Sequence, residues 1–359
     1  MNEKTVLRAL IAEDSVTTLE LLAHVLESDA GIRVVGRARN GAEAVNLTKT
    51  LRPDVVIMDI HMPVLDGFEA TRQIMIEAPT PIVIVSATLD VRAVDVSLHA
   101  LRLGALTVMA KPSGPGASDF PDECSRFIGT VRSMAGVKVV RRWSPTHAVV
   151  SSEGLTDRAA SAQIIAIAAS TGGPTALLSV LSGLPADLPA PILIVQHMAP
   201  GFVGGLASWL DAGSDVSVKV AVAGERLVHG VAYLAPDDRQ LGLLDRRTLQ
   251  VSAAAPRGGF RPSGSFLFES VASVYGTAAV GVILTGMGDD GCAGLVALRR
   301  AGGRIIAQDE ATSVVFGMPA AAIAAGLPHA TLPLELIASR LRAWLPPAPA
   351  QERQKGTQS

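Results

Sequence analysis

The stretch Val282-Ile283-Leu284-Thr285-Gly286-Met287-Gly288-Asp289-Asp290-Gly291 reads as an apolar strand running into a glycine-rich turn. Its last six residues spell G-x-G-x-x-G, a spacing that lets backbone approach a pyrophosphate at the start of a helix. A second apolar run, Arg304–Gln308, ends in Asp309, close to where such folds hold a ribose. A strand that feeds a helix through such a turn belongs to a parallel α/β sheet. The use of the turn stays open between a coenzyme loop and a different chemistry. Asp289 and Asp290 stand where the pyrophosphate would approach, and two carboxylates there repel a doubly charged ligand.

Composition narrows the choice. The chain has 359 residues, 48% of them apolar and 4% aromatic, which suits helices stacked on parallel strands and gives room for two cores. A formal charge of −2 argues against a general nucleic-acid binder. With only Cys124 and Cys292, neither a disulfide framework nor a cysteine zinc site is readable. The start M-N-E-K carries no signal-peptide pattern, and no apolar run reaches the ~18 residues of a membrane span. The expectation is a cytoplasmic protein without direct membrane insertion.

Short β-branched runs alternate with helical periodicity throughout. Strands are expected at Val6–Ala12, Arg33–Arg37, Val55–Met58, Ile82–Val85 and Leu106–Ala110, with helices such as Val16–Glu27 and Phe120–Met134. The series resumes at Ile164–Ala168, Ile192–Val195, Val216–Val220, Val231–Leu234, Val280–Leu284 and Arg304–Ala307. The fold class expected is α/β, with two doubly wound parallel-sheet domains. The first covers residues 1–134 and the second 161–346, joined by a polar linker over 135–160 and followed by a disordered tail over 347–359.

In an open parallel sheet the functional groups gather at the carboxyl ends of the strands. In the first domain these ends carry Glu13 and Asp14, then Asp59, Ser86 and Lys111. Three carboxylates brought together repel and call for a hard cation such as Mg²⁺, while Lys111 neutralises charge from the other side. The segments A-E-D-S, M-D-I-H-M-P-V-L-D-G, V-S-A and A-K-P resemble the receiver domain of two-component response regulators. That resemblance, of the flavodoxin-like type, implies phosphorylation at Asp59. It also implies Mg²⁺ held by Glu13, Asp14, Asp59 and the carbonyl of His61, and a switch formed by Ser86 and Lys111. Val108 stands where receivers commonly carry an aromatic switch residue.

In the second domain, Ser170 sits where an apolar strand turns into T-G-G-P, and His197 follows the strand P-I-L-I-V-Q. Each alone has an ordinary reading, a helix-capping serine and a structural histidine. Together with one acid of the opening stretch they make a nucleophile, a base and an orienting carboxylate from three strand ends. The segments A-A-S-T-G-G-P-T-A-L, Q-H-M-A-P-G-F, R-P-S, V-I-L-T-G-M-G-D-D-G and A-Q-D-E-A-T-S-V-V-F-G-M-P-A-A-A resemble the chemotaxis protein-glutamate methylesterase family, CheB. The resemblance implies a Rossmann-like hydrolase with Ser170 as nucleophile, His197 as general base and Asp290, rather than Asp289, as the acid. Thr171 and Met287 line the site, with the Met287 N–H as an oxyanion donor. The implied activities are demethylation of receptor glutamates and deamidation of receptor glutamines, with no cofactor for the esterase reaction. The implied partners are methyl-accepting chemotaxis receptors and a chemotaxis histidine kinase. Two segments depart from the family: Gly264-Ser265 replaces a Val-Asp pair, and Asp237, Asp238 and Gln240 stand where paired glycines and a histidine are usual. Neither departure is expected to touch the triad.

Overall fold

The computed structural model describes residues 6–86, 105–137, 162–198 and 200–346. Most of the expected linker, 138–160, and the whole expected tail, 347–359, lie outside the described residues. The first sheet contains β1 (Leu7–Ala12), β2 (Ile32–Ala38), β3 (Val55–Asp59), β4 (Ile82–Ser86) and β5 (Thr107–Ala110). Every pairing is parallel, in the order β2-β1-β3-β4-β5. Helices α1 (Val16–Glu27), α2 (Gly41–Leu51), α3 (Gly67–Glu77) and α4 (Phe120–Ala135) cover it. Side-chain caps set three starts: Ser15, Asn40 and Asp66 accept the N–H groups of Thr18, Glu43 and Glu69.

The second sheet has seven parallel strands in the order β14-β13-β12-β6-β7-β9-β8. They are β6 (Ile164–Ala169), β7 (Ile192–Gln196), β8 (Ser217–Val220), β9 (Val231–Leu234), β12 (Ala279–Ile283), β13 (Arg304–Gln308) and β14 (Ala330–Leu332). Helices α5 (Gly173–Ser182), α6 (Val203–Ala212), α7 (Gly264–Tyr275), α8 (Cys292–Arg300), α9 (Met318–Ala324) and α10 (Leu334–Trp344) complete the domain. Strand β6 shows why its sequence reads as an unbroken apolar run. Ile165, Ile167 and Ala169 enter one core cluster, while Ile164, Ala166 and Ala168 enter the cluster on the opposite face.

Two elements escape the sequence reading. Strands β10 (Gln240–Asp245) and β11 (Thr248–Ser252) form an antiparallel hairpin outside the main sheet, and β14 adds a short edge. In the hairpin Leu241, Leu243 and Leu249 turn inward, a period-two pattern that the polar D-R-R turn interrupts.

Phe268 of α7 is fully buried and lies against the positions of Gly281, Gly291 and Gly294, where α7, α8 and β12 meet. Phe268→Ala is expected to cost about 3–5 kcal/mol, read as a lower urea midpoint.

Candidate functional site

The seven-stranded sheet changes winding direction at β6. The chain leaves β6 for β7 on one side and returns at β12 on the other, so a crevice opens at their carboxyl ends. Ala169 and Gln196 form the last register pair of β6 and β7, which places Ser170 and His197 one residue beyond it. The His197 N–H donates to the Ala169 carbonyl, and the Ser170 N–H donates to the Thr285 carbonyl, each at 3.0 Å. Gly286 permits the close approach of the third strand end: a Cβ there would lie 2.7 Å from the Ser170 Cβ. Gln196 ties the first two ends together, its Nε2 donating to the carbonyls of Ser170 and His197 at 2.7 and 2.8 Å.

Asp289 and Asp290, adjacent in sequence, part company in space. Asp289 is exposed, while Asp290 is 6% exposed and lies 2.9 Å from His197 Nε2. Asp290 also sits at the N-terminus of α7. It accepts the Ser263 hydroxyl at 2.8 Å, the Gly264 N–H at 2.6 Å and the Ser265 N–H at 3.1 Å. Burial pushes its pKa up, but the His197 hydrogen bond and charge, the Ser263 hydroxyl and the Gly264 N–H outweigh burial and bring it down to about 2. Both ring nitrogens of His197 are buried; Nε2 lies in ion-pair contact with Asp290, without hydrogen-bond alignment, and Nδ1 has no partner. Ser170 Oγ makes no hydrogen bond among the described residues. The structure therefore brings Ser170, His197 and Asp290 to adjoining strand ends and joins the last two directly. Thr171, whose carbonyl accepts the Thr285 hydroxyl at 2.9 Å, and the exposed Met287 border the same crevice.

The Gly264-Ser265 departure is not remote from the triad, as the sequence reading had it. Both backbone N–H groups hold Asp290, and the Ser265 hydroxyl accepts the Gly291 N–H at 2.9 Å. A side chain at 264 would start 2.8 Å from the Ala168 Cβ and 3.5 Å from Asp290 Oδ2. The other departure reaches Asp290 only at second hand, through Gln240 and Ser263. Asp237 accepts the Gly201 N–H at 2.7 Å, Asp238 pairs with Arg261 at 2.6 Å, and buried Gln240 accepts the Ser263 N–H at 2.9 Å. Sequence reasoning gave no role to Gln196, Gln240, Phe260 and Ser263. The ring of Phe260 stacks on His197, centroids 4.5 Å apart and planes 9° apart. Asp309, which the opening motif suggested for a ribose, spends its carboxylate on the Thr312 N–H and hydroxyl at 2.9 and 2.7 Å.

In the first domain, ligand oxygens of Glu13, Asp14 and Asp59 lie within 4.8 Å of one another at the ends of β1 and β3. Lys111 approaches Glu13 at 2.6 Å and Asp59 at 3.0 Å. Burial raises the pKa of Glu13, and the neighbouring charge of Asp59 adds to the rise. Burial works to discharge Lys111, but its hydrogen bond to Glu13 and the charge of Asp59 prevail and hold its pKa up. Ser86 is buried at the end of β4, and its carbonyl accepts the Lys111 N–H at 3.0 Å. Three hard oxygen donors in this space suit a small divalent cation.

The domains also touch. Ser133 of α4 donates to the Met287 sulfur at 2.9 Å, Val108 packs against cores of both domains, and Val314 and Val315 pack against the first.

Both sheets fall almost wholly within segments that match known families. Residues 165–341 match the CheB methylesterase family and residues 9–117 the response regulator receiver domain. The chain is 51% identical to protein-glutamate methylesterase/protein-glutamine glutaminase 4 of Myxococcus xanthus, over 93% of this chain and 96% of that one. It is 49% identical to protein-glutamate methylesterase/protein-glutamine glutaminase 3 of Anaeromyxobacter dehalogenans, over 94% and 99%. The crystal structure of the Thermotoga maritima CheB methylesterase catalytic domain is 39% identical, with a TM-score of 0.49, and the match covers 51% of this chain and 98% of that one.

The lowered pKa of Asp290 fixes the sign of a stability effect. A carboxylate with a depressed folded pKa stabilises above its unfolded pKa near 4, and that contribution disappears as pH falls towards about 2. Urea unfolding should show Asp290→Asn less stable than the parent by about 2 kcal/mol at pH 6, with the gap narrowing as the medium is acidified below about pH 4.

Proposed function

The chain belongs to the CheB methylesterase family, with a response regulator receiver domain ahead of the esterase domain, and from that premise we propose a phosphorylation-controlled esterase that demethylates glutamate side chains of chemotaxis receptors. The observation that carries the reading is the buried, unpartnered Nδ1 of His197, one strand end from Ser170, while Nε2 is engaged by Asp290. Ser170 Oγ attacks the ester carbonyl as its proton passes to His197 Nδ1. Asp290 keeps the imidazole in the tautomer that leaves Nδ1 basic and stabilises the imidazolium that results. The imidazolium returns the proton to the departing methoxide, and methanol leaves. Water, deprotonated by the same nitrogen, then splits the acyl-serine to free glutamate and Ser170. A glutamine substrate follows the same course with ammonia leaving.

The Met287 N–H and the N-terminus of α5 are the donors available to the developing oxyanion, each worth about 3 kcal/mol of barrier in such sites. Thr171 lines the approach. No cofactor takes part in the ester chemistry proposed.

In the receiver, Asp59 accepts a phosphoryl group from a chemotaxis histidine kinase. Glu13, Asp14, Asp59 and the His61 carbonyl would hold Mg²⁺, which supplies charge screening for the incoming group. Lys111 neutralises charge at Asp59, and Ser86 lies at the next strand end to receive the phosphoryl oxygens. The contacts of Ser133, Val108, Val314 and Val315 across the domains support a receiver that restricts the crevice until phosphorylation shifts the balance to open states.

Methanol release from methylated receptor membranes tests both halves. Ser170→Ala should abolish turnover, and normal turnover by that variant would remove the assignment. Asp59→Asn should retain turnover without a phosphodonor and gain nothing when one is added.

A further inference from the structure

The face of His197 opposite its hydrogen-bonding edge is covered by a residue with no assigned role. Phe260 lies at the end of the turn Arg257-Gly258-Gly259-Phe260, in which Arg257 and Phe260 exchange both backbone hydrogen bonds at 3.0 Å. Gly258 and Gly259 adopt φ values of 57° and 86°, the left-handed pair that a tight two-residue hairpin turn demands. This turn is fastened on both sides. Buried Gln240 donates from Nε2 to the carbonyls of Ala255 and Phe260, each at 3.2 Å, while its Oε1 accepts the Ser263 N–H at 2.9 Å. Arg261 is drawn to Asp238, with Nε at 2.7 Å, and its Nη1 donates to the Ala253 carbonyl at 3.4 Å.

We propose that Phe260 is a positioning residue for the reaction, a fixed aromatic platform that holds the His197 imidazole in the plane joining Asp290 to Ser170. The inference rests on the reading of His197 as the general base. The contact of Nε2 with Asp290 at 2.9 Å fixes one point of the ring and leaves it free to swing about that point. A parallel ring 4.5 Å away removes the swing, because tilting the imidazole drives it into the phenyl face. The stack also keeps water from one side of the base. Gln240 and Asp238 set where the platform stands, so the residues that depart from the family pattern are those that carry it.

The test uses the full-length chain and methanol release from methylated receptor membranes without a phosphodonor. Phe260→Leu preserves bulk and loses the flat face; it should lower kcat about tenfold with KM within about twofold of the parent. Phe260→Tyr retains the face and should stay within about twofold in both. Gly259→Ala leaves the ring chemistry untouched, meets open space, and strains the turn at φ 86°, so its kcat should fall in the same direction. In ¹⁵N-histidine spectra the parent should show His197 as one neutral tautomer protonated at Nε2, and Phe260→Leu a mixture. A Phe260→Leu protein with parental kcat overturns the proposal, as does a loss carried wholly by KM, which would place the ring on the substrate. His197→Ala, assayed in parallel, separates the two readings. If it is inactive while Phe260→Leu is normal, only the platform fails; if it keeps full turnover, the base assignment fails first.

Discussion

A charged carboxylate buried against a helix N-terminus is the constraint around which the second domain is arranged. Removing an ion from water costs several kcal/mol unless its oxygens are satisfied. Asp290 meets that condition with the Ser263 hydroxyl, the N–H groups of Gly264 and Ser265, and the His197 imidazole. Those donors exist only if α7 begins at Gly264 and its first turn presses on Ala168 of β6. In this chain Gly264 is what lets that turn lie so close to Ala168 at the end of β6.

The two sheets treat acids in opposite ways. At the β1 and β3 ends, Glu13, Asp14 and Asp59 crowd one another and, among the described residues, Lys111 pairs with two of them; burial and the charge of Asp59 push Glu13 towards its neutral form. That site is short of positive charge and suited to receiving it. At the β6, β7 and β12 ends the single buried acid has all the donors it can use and remains ionised, turned to one imidazole. The same topological device, a crevice at a winding reversal, gathers three acids in one sheet and a serine, a histidine and an acid in the other.

The architecture was readable because parallel sheets leave plain traces. Unbroken apolar runs marked β6, β7, β12 and β13 to within a residue or two at each end, and Ser170 and His197 follow directly on the first two. Ser170 and His197 were legible for that reason. The choice of Asp290 over Asp289 came from family resemblance, since neighbouring acids in a turn look alike until the backbone turns one inward. Phe260 gave no signal, and Gln240 stood out only as a departure from the family pattern. One lies in a polar, glycine-rich turn and the other opens a hairpin outside the main sheet, and both act through contacts distant in sequence. The hairpin itself was passed over because its alternation is short and broken by charge.

Val108 bears on how far the chain is modular. It takes the place of an aromatic switch on β5, yet it packs into the hydrophobic clusters of both sheets. A chimaera that grafts a foreign receiver onto residue 162 would import intact phosphate chemistry but a different surface at β5 and α4. Val314, Val315 and Met287 would then face a surface other than the one they pack against.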